Sequence, residues 1–248
     1  MGGSMKPILI IVFLVHFPFL VYGQNFESGP KKVNTLELFS TQSCSSCPPA
    51  QKWVSSLKSH PKLWKTFIPI VYHVDYWDYL GWKDPFSKKE FSEMQRKYVA
   101  EWSGGPYTPM FVLNGKEYRP KNANALGDNR NIAGNLIAKK QLDGSYNLEF
   151  TPLGEAFATK IIMFHWALLG QNVSTNITAG ENSGETLKHD FLVTQTQTVS
   201  GTKKGSKFLA KVRPNIKNTK GVSKHALVFW ATGAGSLKPL QATGGPVN

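Results

Sequence analysis

The chain is poor in cysteine, in acidic residues and in long apolar runs, and each shortage narrows what it can be. Two cysteines in 248 residues cannot build the multi-disulfide framework of a small stapled domain. None is needed, because a chain of this length with 41% hydrophobic and 12% aromatic residues can bury its own core. Asp and Glu number 16 against 29 Lys and Arg, leaving a formal charge of +13 that favours anionic surfaces. The excess is spread along the sequence without a zinc-finger or aromatic RNA-binding pattern, so nucleic acid is not an expected partner. Beyond residue 23 no apolar run reaches spanning length, and no transmembrane segment is expected once the N-terminus is removed. There is no second C-x-x-C, no H-x-x-x-H, no methionine-rich or histidine-rich stretch and no repeat of fixed period. A closed four-ligand zinc site is therefore unsupported, and no cofactor is expected.

What is present begins with an export signal. Lys6 supplies a positive start, Pro7 to Tyr22 is almost wholly apolar, and Val21-Tyr22-Gly23 offers a cleavage site before Gln24. At about 16 residues the apolar run is shorter than the roughly 20 that span a bilayer as a helix. Residues 1–23 thus read as a signal peptide, and the mature protein as exported, periplasmic or secreted. Residues 24–32, with Gly29-Pro30, read as a linker.

Hydrophobic periodicity organises the remainder into two regions. Over 33–143 it predicts a strand at Val33 to Phe39, then a helix with Ala50, Trp53, Val54 and Leu57 on one face, and a second strand at Phe67 to Val74. A helix follows, opened by a capping box of Ser87 and Glu90 and striped by Phe91, Met94, Tyr98 and Trp102. A hairpin turns at Asn114-Gly115, and Ile132, Leu136 and Ile137 suggest a closing helix. Over 144–248 short β-rich runs at Tyr146 to Phe150, Lys160 to Leu169, Phe191 to Thr198, Phe208 to Val212 and Ala226 to Trp230 suggest an antiparallel sheet or small sandwich. Eight Lys or Arg and no acid lie between Gly201 and Lys224, consistent with a solvated hairpin or with an anionic-surface contact.

The sharpest chemical signal is Cys44-Ser45-Ser46-Cys47, which follows a strand and precedes a helix. As a staple it would close a four-residue loop worth only roughly 2 kcal/mol. As a zinc pair it would lack two ligands. Redox chemistry remains, with Cys44 as the nucleophile nearer the strand and Cys47 as the resolving thiol. The helix N-terminus stabilises a thiolate by about 0.3 to 2 kcal/mol. Pro48 and Pro49 bias the residue before them away from helical angles, so a late helix start is expected, with the dithiol held in a turn ahead of it.

The stretches Leu36 to Ala50 and His73 to Phe86 resemble a bacterial family of secreted thioredoxin-like proteins of unknown function, as do Tyr107-Thr108-Pro109, Val112 to Gly115 and Gly180-Glu181-Asn182-Ser183-Gly184 with Leu187 and His189. The resemblance implies an α/β fold, a thioredoxin-like domain followed by the β-rich region. It also implies a cis bond at Thr108-Pro109, with Pro109 facing the dithiol and Thr108 presenting backbone groups to a substrate peptide. Glu37 resembles the buried acid that relays protons in related oxidoreductases, and an ordinary strand carboxylate is the competing reading. Trp77, clustered with Tyr76, Tyr79 and Trp82, serves either as a substrate wall or as core packing. His73 and Asp75 share a face if their strand continues through both. The expected activity is thiol–disulfide exchange with protein thiols or disulfides outside the cytoplasm. The alternative is a copper- or partner-binding protein without turnover, its ligands Cys44, Cys47 and His73.

Overall fold

A computed structural model describes residues 24–102, 104–120, 124–127, 131–154, 160–216 and 221–247; the export signal read at 1–23 lies outside the described residues. The first strands are β1 (Phe26–Glu27), β2 (Asn34–Ser40) and β3 (Phe67–His73), with helix α1 (Pro48–Ser56) between β2 and β3. Helix α2 (Lys89–Ala100) precedes β4 (Met110–Leu113), β5 (Lys116–Tyr118), β6 (Gly134–Lys140) and β7 (Tyr146–Pro152). The rest is strand: β8 (Ile162–Gln171), β9 (Val173–Asn176), β10 (Thr186–His189), β11 (Leu192–Ser200), β12 (Thr202–Lys204), β13 (Lys207–Val212), β14 (Lys224–Gly233) and β15 (Pro239–Val247).

These strands build an eight-stranded sheet in the order β15-β14-β8-β11-β3-β2-β4-β5, a five-stranded sheet in the order β1-β6-β7-β13-β12, and the β9–β10 hairpin. The expected α/β class, a thioredoxin-like domain with a β-rich region appended, is overturned. The described chain is mostly β, with two α-helices against fifteen strands. Strands from both ends of the sequence share one sheet because β11 pairs in parallel with β3, Leu192 opposite Val71.

Alternation along the central strands explains why this sheet needs cover on both faces. In β8, Ile162, Phe164, Trp166 and Leu168 point into one core, and Ala167 and Leu169 into the other. In β14, Leu227, Phe229 and Ala231 alternate in the same way with Ala226, Val228 and Trp230. Near-continuous apolar runs are the signature of strands buried on both sides. The five-stranded sheet covers one face through Phe26, Leu136, Tyr146, Leu148 and Phe150. The helices contribute Val54, Phe91, Tyr98 and Val99 to the other core.

Two sequence expectations fail locally for physical reasons. The closing helix anticipated around Leu136 and Ile137 is strand β6, in which Leu136 and Ala138 are buried, Ile137 is half-buried between them, and each residue pairs with β7. The capping box does not form either. Helix α2 begins after an extended Lys88, and the Ser87 hydroxyl turns away to the Asp78 carboxylate (2.8 Å) and the Asp84 carbonyl (2.9 Å).

Candidate functional site

Strand β2 ends at Ser40, and the chain then runs through four buried residues, Thr41, Gln42, Ser43 and Cys44, before α1 begins. As expected, the dithiol sits in a turn ahead of the helix, which opens at Pro48; its N-cap Cys47 nevertheless takes helical angles despite the proline after it. Proline suits a first turn because the amide it lacks has no intrahelical partner there. The Cys47 amide closes the turn on the Cys44 carbonyl at 3.2 Å.

Both cysteines are free thiols, with their sulfurs 2.7 Å apart. Cys47 is wholly buried, whereas Cys44 keeps 4% of its surface open beside the exposed Ser45 and Ser46. The Cys47 thiol, followed by the Ser46 hydroxyl at 3.2 Å and contacts from Thr108, stabilises a Cys44 thiolate and draws its pKa from 9.0 to about 5, against the opposing effect of burial. Burial first, then the hydrogen bond to Cys44 and its charge, push Cys47 far the other way. One sulfur is an available nucleophile and the other is held as a thiol.

The Thr108–Pro109 bond is cis, and the Thr108 carbonyl lies 4.0 Å from the Cys44 sulfur. The Trp77 indole N–H donates to the Thr108 hydroxyl at 2.8 Å, and its ring stacks on the exposed Tyr79 at 6.3 Å. Thr108, followed by the cis Pro109, therefore links Trp77 to Cys44 in one cluster.

Glu37 stands apart from that cluster. It is buried on β2, where burial raises its carboxyl to about 7 against a lowering contact from the Tyr98 hydroxyl. Among the described residues no hydrogen bond joins Glu37 to either sulfur, and its Oε2 has no partner. Because the folded chain holds this proton while the unfolded chain releases it near 4.5, stability falls as pH rises from about 4.5 to 7. Glu37→Gln, which removes that liability, is expected to stabilise the protein at pH 8 by about 3 kcal/mol and to do little at pH 4. Urea unfolding at the two pH values checks this.

His73 ends β3 and turns inward rather than toward the thiols. Its Nδ1 lies 2.7 Å from Asp84 Oδ2, and its Nε2 lies 3.3 Å from the Gln51 side chain, which itself donates to Ser40 Oγ at 2.6 Å. Since the strand stops at His73, Asp75 does not share its face; it bonds Ser92 on α2 instead. Among the described residues no three side chains of His, Cys, Asp or Glu are placed to hold a metal. The arrangement of Cys44, Cys47 and His73 required by the copper alternative is thus not assembled.

Sequence reasoning missed the residues that fix the dithiol loop. Asp84 Oδ2 accepts the Gln42 amide at 2.7 Å and the Thr41 hydroxyl at 3.1 Å, while Oδ1 accepts the Phe86 amide at 2.9 Å. Burial would raise this carboxyl, yet His73 and these donors outweigh it and hold it at about 2. The Gln42 side chain reaches Thr175 Oγ1 and His189 Nε2, each at 3.0 Å. Burial and the nearby His73 keep His189 down at about 3, with Asp84 opposing. From the loop before β10, Asn182 donates to the carbonyls of Gln42 (2.8 Å) and Cys44 (3.1 Å), and Glu181 Oε2 accepts the Ser45 amide at 3.0 Å. Asp84, Asn182 and His189 all fall inside the stretches that carried the family resemblance, so their positions were marked although their roles were not.

With this geometry in view, the chain belongs to a family described as a protein of unknown function (DUF1223), whose model matches residues 35–231. It is similar in fold to a protein of Agrobacterium tumefaciens solved by X-ray crystallography, at 22% identity over 86% of this chain and 94% of that one, with a TM-score of 0.63. It is also similar to HBP35 of Porphyromonas gingivalis, at 14% identity over 89% of this chain and 76% of that one, with a TM-score of 0.58. Among the curated proteins none matches. No helix of the described residues is long and apolar enough to cross a membrane.

Proposed function

We propose that the protein is an exported thiol–disulfide oxidoreductase that exchanges Cys44 and Cys47 with the thiols or disulfides of other proteins outside the cytoplasm. The observation that carries this reading is the opposite setting of two sulfurs 2.7 Å apart, one barely open with its thiolate favoured, the other enclosed and protonated. A staple requires no such asymmetry. In exchange, the Cys44 thiolate attacks one sulfur of a substrate disulfide; a Cys44–substrate bond forms, the substrate S–S bond breaks and a substrate thiolate leaves. Cys47 then loses its proton and attacks the Cys44 sulfur, releasing the second substrate thiol. The substrate gains two electrons, and the dithiol becomes a disulfide. Thr108 and Trp77 flank the point of attack, where an extended substrate would lie. The export rests on the apolar run at Pro7 to Tyr22 and the cleavage site before Gln24.

Replacing Cys47 by serine is expected to accumulate mixed disulfides through Cys44, because attack proceeds and intramolecular release does not. These adducts should be recovered outside the cytoplasm on a chain beginning near Gln24. Cys44→Ser should trap nothing. Single mutants that both react only at the slow rate of an ordinary thiol would remove the catalytic reading, and metal retained by the wild-type dithiol in place of exchange would move the assignment to binding.

A further inference from the structure

The loop Gly180 to Glu185 carries two acids and no base, and it reaches the dithiol from a segment more than a hundred residues away in sequence. Asn182, only 7% exposed, ties it to the carbonyls of Gln42 and Cys44. With its neighbour anchored, Glu181 occupies the Ser45 amide at 3.0 Å. That amide nitrogen is four covalent bonds from the Cys44 sulfur, and both Glu181 and Ser45 are exposed. The carboxylate therefore has two effects where a substrate must approach. It uses up a backbone donor that an incoming anion would otherwise take, and it puts a negative charge beside the exposed Ser45, next to the nucleophile. The chain as a whole carries +13, so its overall field draws anions. Glu181 opposes that field at the place where chemistry occurs.

We propose that Glu181 is a specificity residue that sorts disulfides by charge, admitting those flanked by neutral or basic groups and turning away anionic ones, small acidic disulfides included. The inference rests on the exchange activity proposed above and adds the class of disulfide that Cys44 accepts.

The test uses the reduced mature protein and three small disulfides of similar size: cystamine with two ammonium groups, hydroxyethyl disulfide with none, and dithiodiglycolate with two carboxylates. Rate constants for oxidation of Cys44 are divided by those of a simple free thiol with the same reagents, which removes each reagent's own reactivity. The normalised cystamine to dithiodiglycolate ratio should exceed one by about tenfold at low ionic strength and collapse toward one in 1 M salt. Glu181→Gln keeps an oxygen for the Ser45 amide while removing the charge, and it should reduce the ratio by about threefold or more. Glu181→Ala should do the same. A ratio that stays unchanged in both variants overturns the sorting role and leaves the exchange reading standing. Exchange no faster than that of an ordinary thiol with all three reagents overturns both.

Discussion

Asp84→Asn is expected to destabilise the protein by about 3 kcal/mol at pH 7, the order found when a buried hydrogen-bonded group, here a charged one, loses its partners. The carboxylate is fully enclosed and accepts from the Gln42 amide, the Thr41 hydroxyl and the Phe86 amide while facing His73 Nδ1 at 2.7 Å. An asparagine of the same shape offers one oxygen and an NH2 group, so at least one donor would point at another donor. The buried group left without its partner, rather than the lost bond itself, accounts for most of the effect.

The pH dependence gives this prediction its sign. Asp84 is held at about 2, below the 3.8 of an unperturbed aspartate, so its stabilisation is complete above about 4 and lost as pH falls toward 2. The gap between wild type and variant should therefore shrink by about 2 kcal/mol on going from pH 5 to pH 2. Urea midpoints measured across that range check it, and a gap below 1 kcal/mol at pH 7 would show that the Thr41–Gln42 segment does not depend on Asp84.

How far the site could be read in advance follows from what each residue advertises. Cys44 and Cys47 were legible because their spacing, the strand before them and the helix after them belong to one local segment. Asp84 was not, since an acid between Lys83 and Pro85 looks like any surface turn until His73 and Gln42 close on it. Asn182 and Glu181 carry no local signal for a contact with residues 42 to 45, because a turn sequence states its own geometry and not the surface it meets.

The same distinction holds for the fold. Periodicity located the runs that became β7, β8, β11, β13 and β14. It could not reveal that β11 would pair with β3, Leu192 lying 121 positions after Val71, and join them in one sheet. Around Leu136 and Ile137 two adjacent apolar residues fit a helix or a strand, and only pairing with β7 decides for the strand. The α/β class expected for the whole chain failed there and at the β3–β11 junction together.

The account's central claim is that Cys44 is an activated thiolate, and the pH dependence of its alkylation tests it most directly. In the reduced protein, Cys47 supplies the leading stabilisation of the Cys44 anion, and the thiolate should already dominate above about pH 5. Iodoacetamide is uncharged, so its rate reports the thiolate fraction without a charge effect from Glu181. The modified residue can be identified by mass spectrometry. Cys44 alone should react below pH 8, with a midpoint near 5 and a plateau from about pH 6.5. Cys47→Ala, which deletes the donor, should move the midpoint upward. A rate that instead climbs steadily through pH 8, as for an ordinary thiol near 8.5, or that is equal at the two cysteines, would contradict the claim.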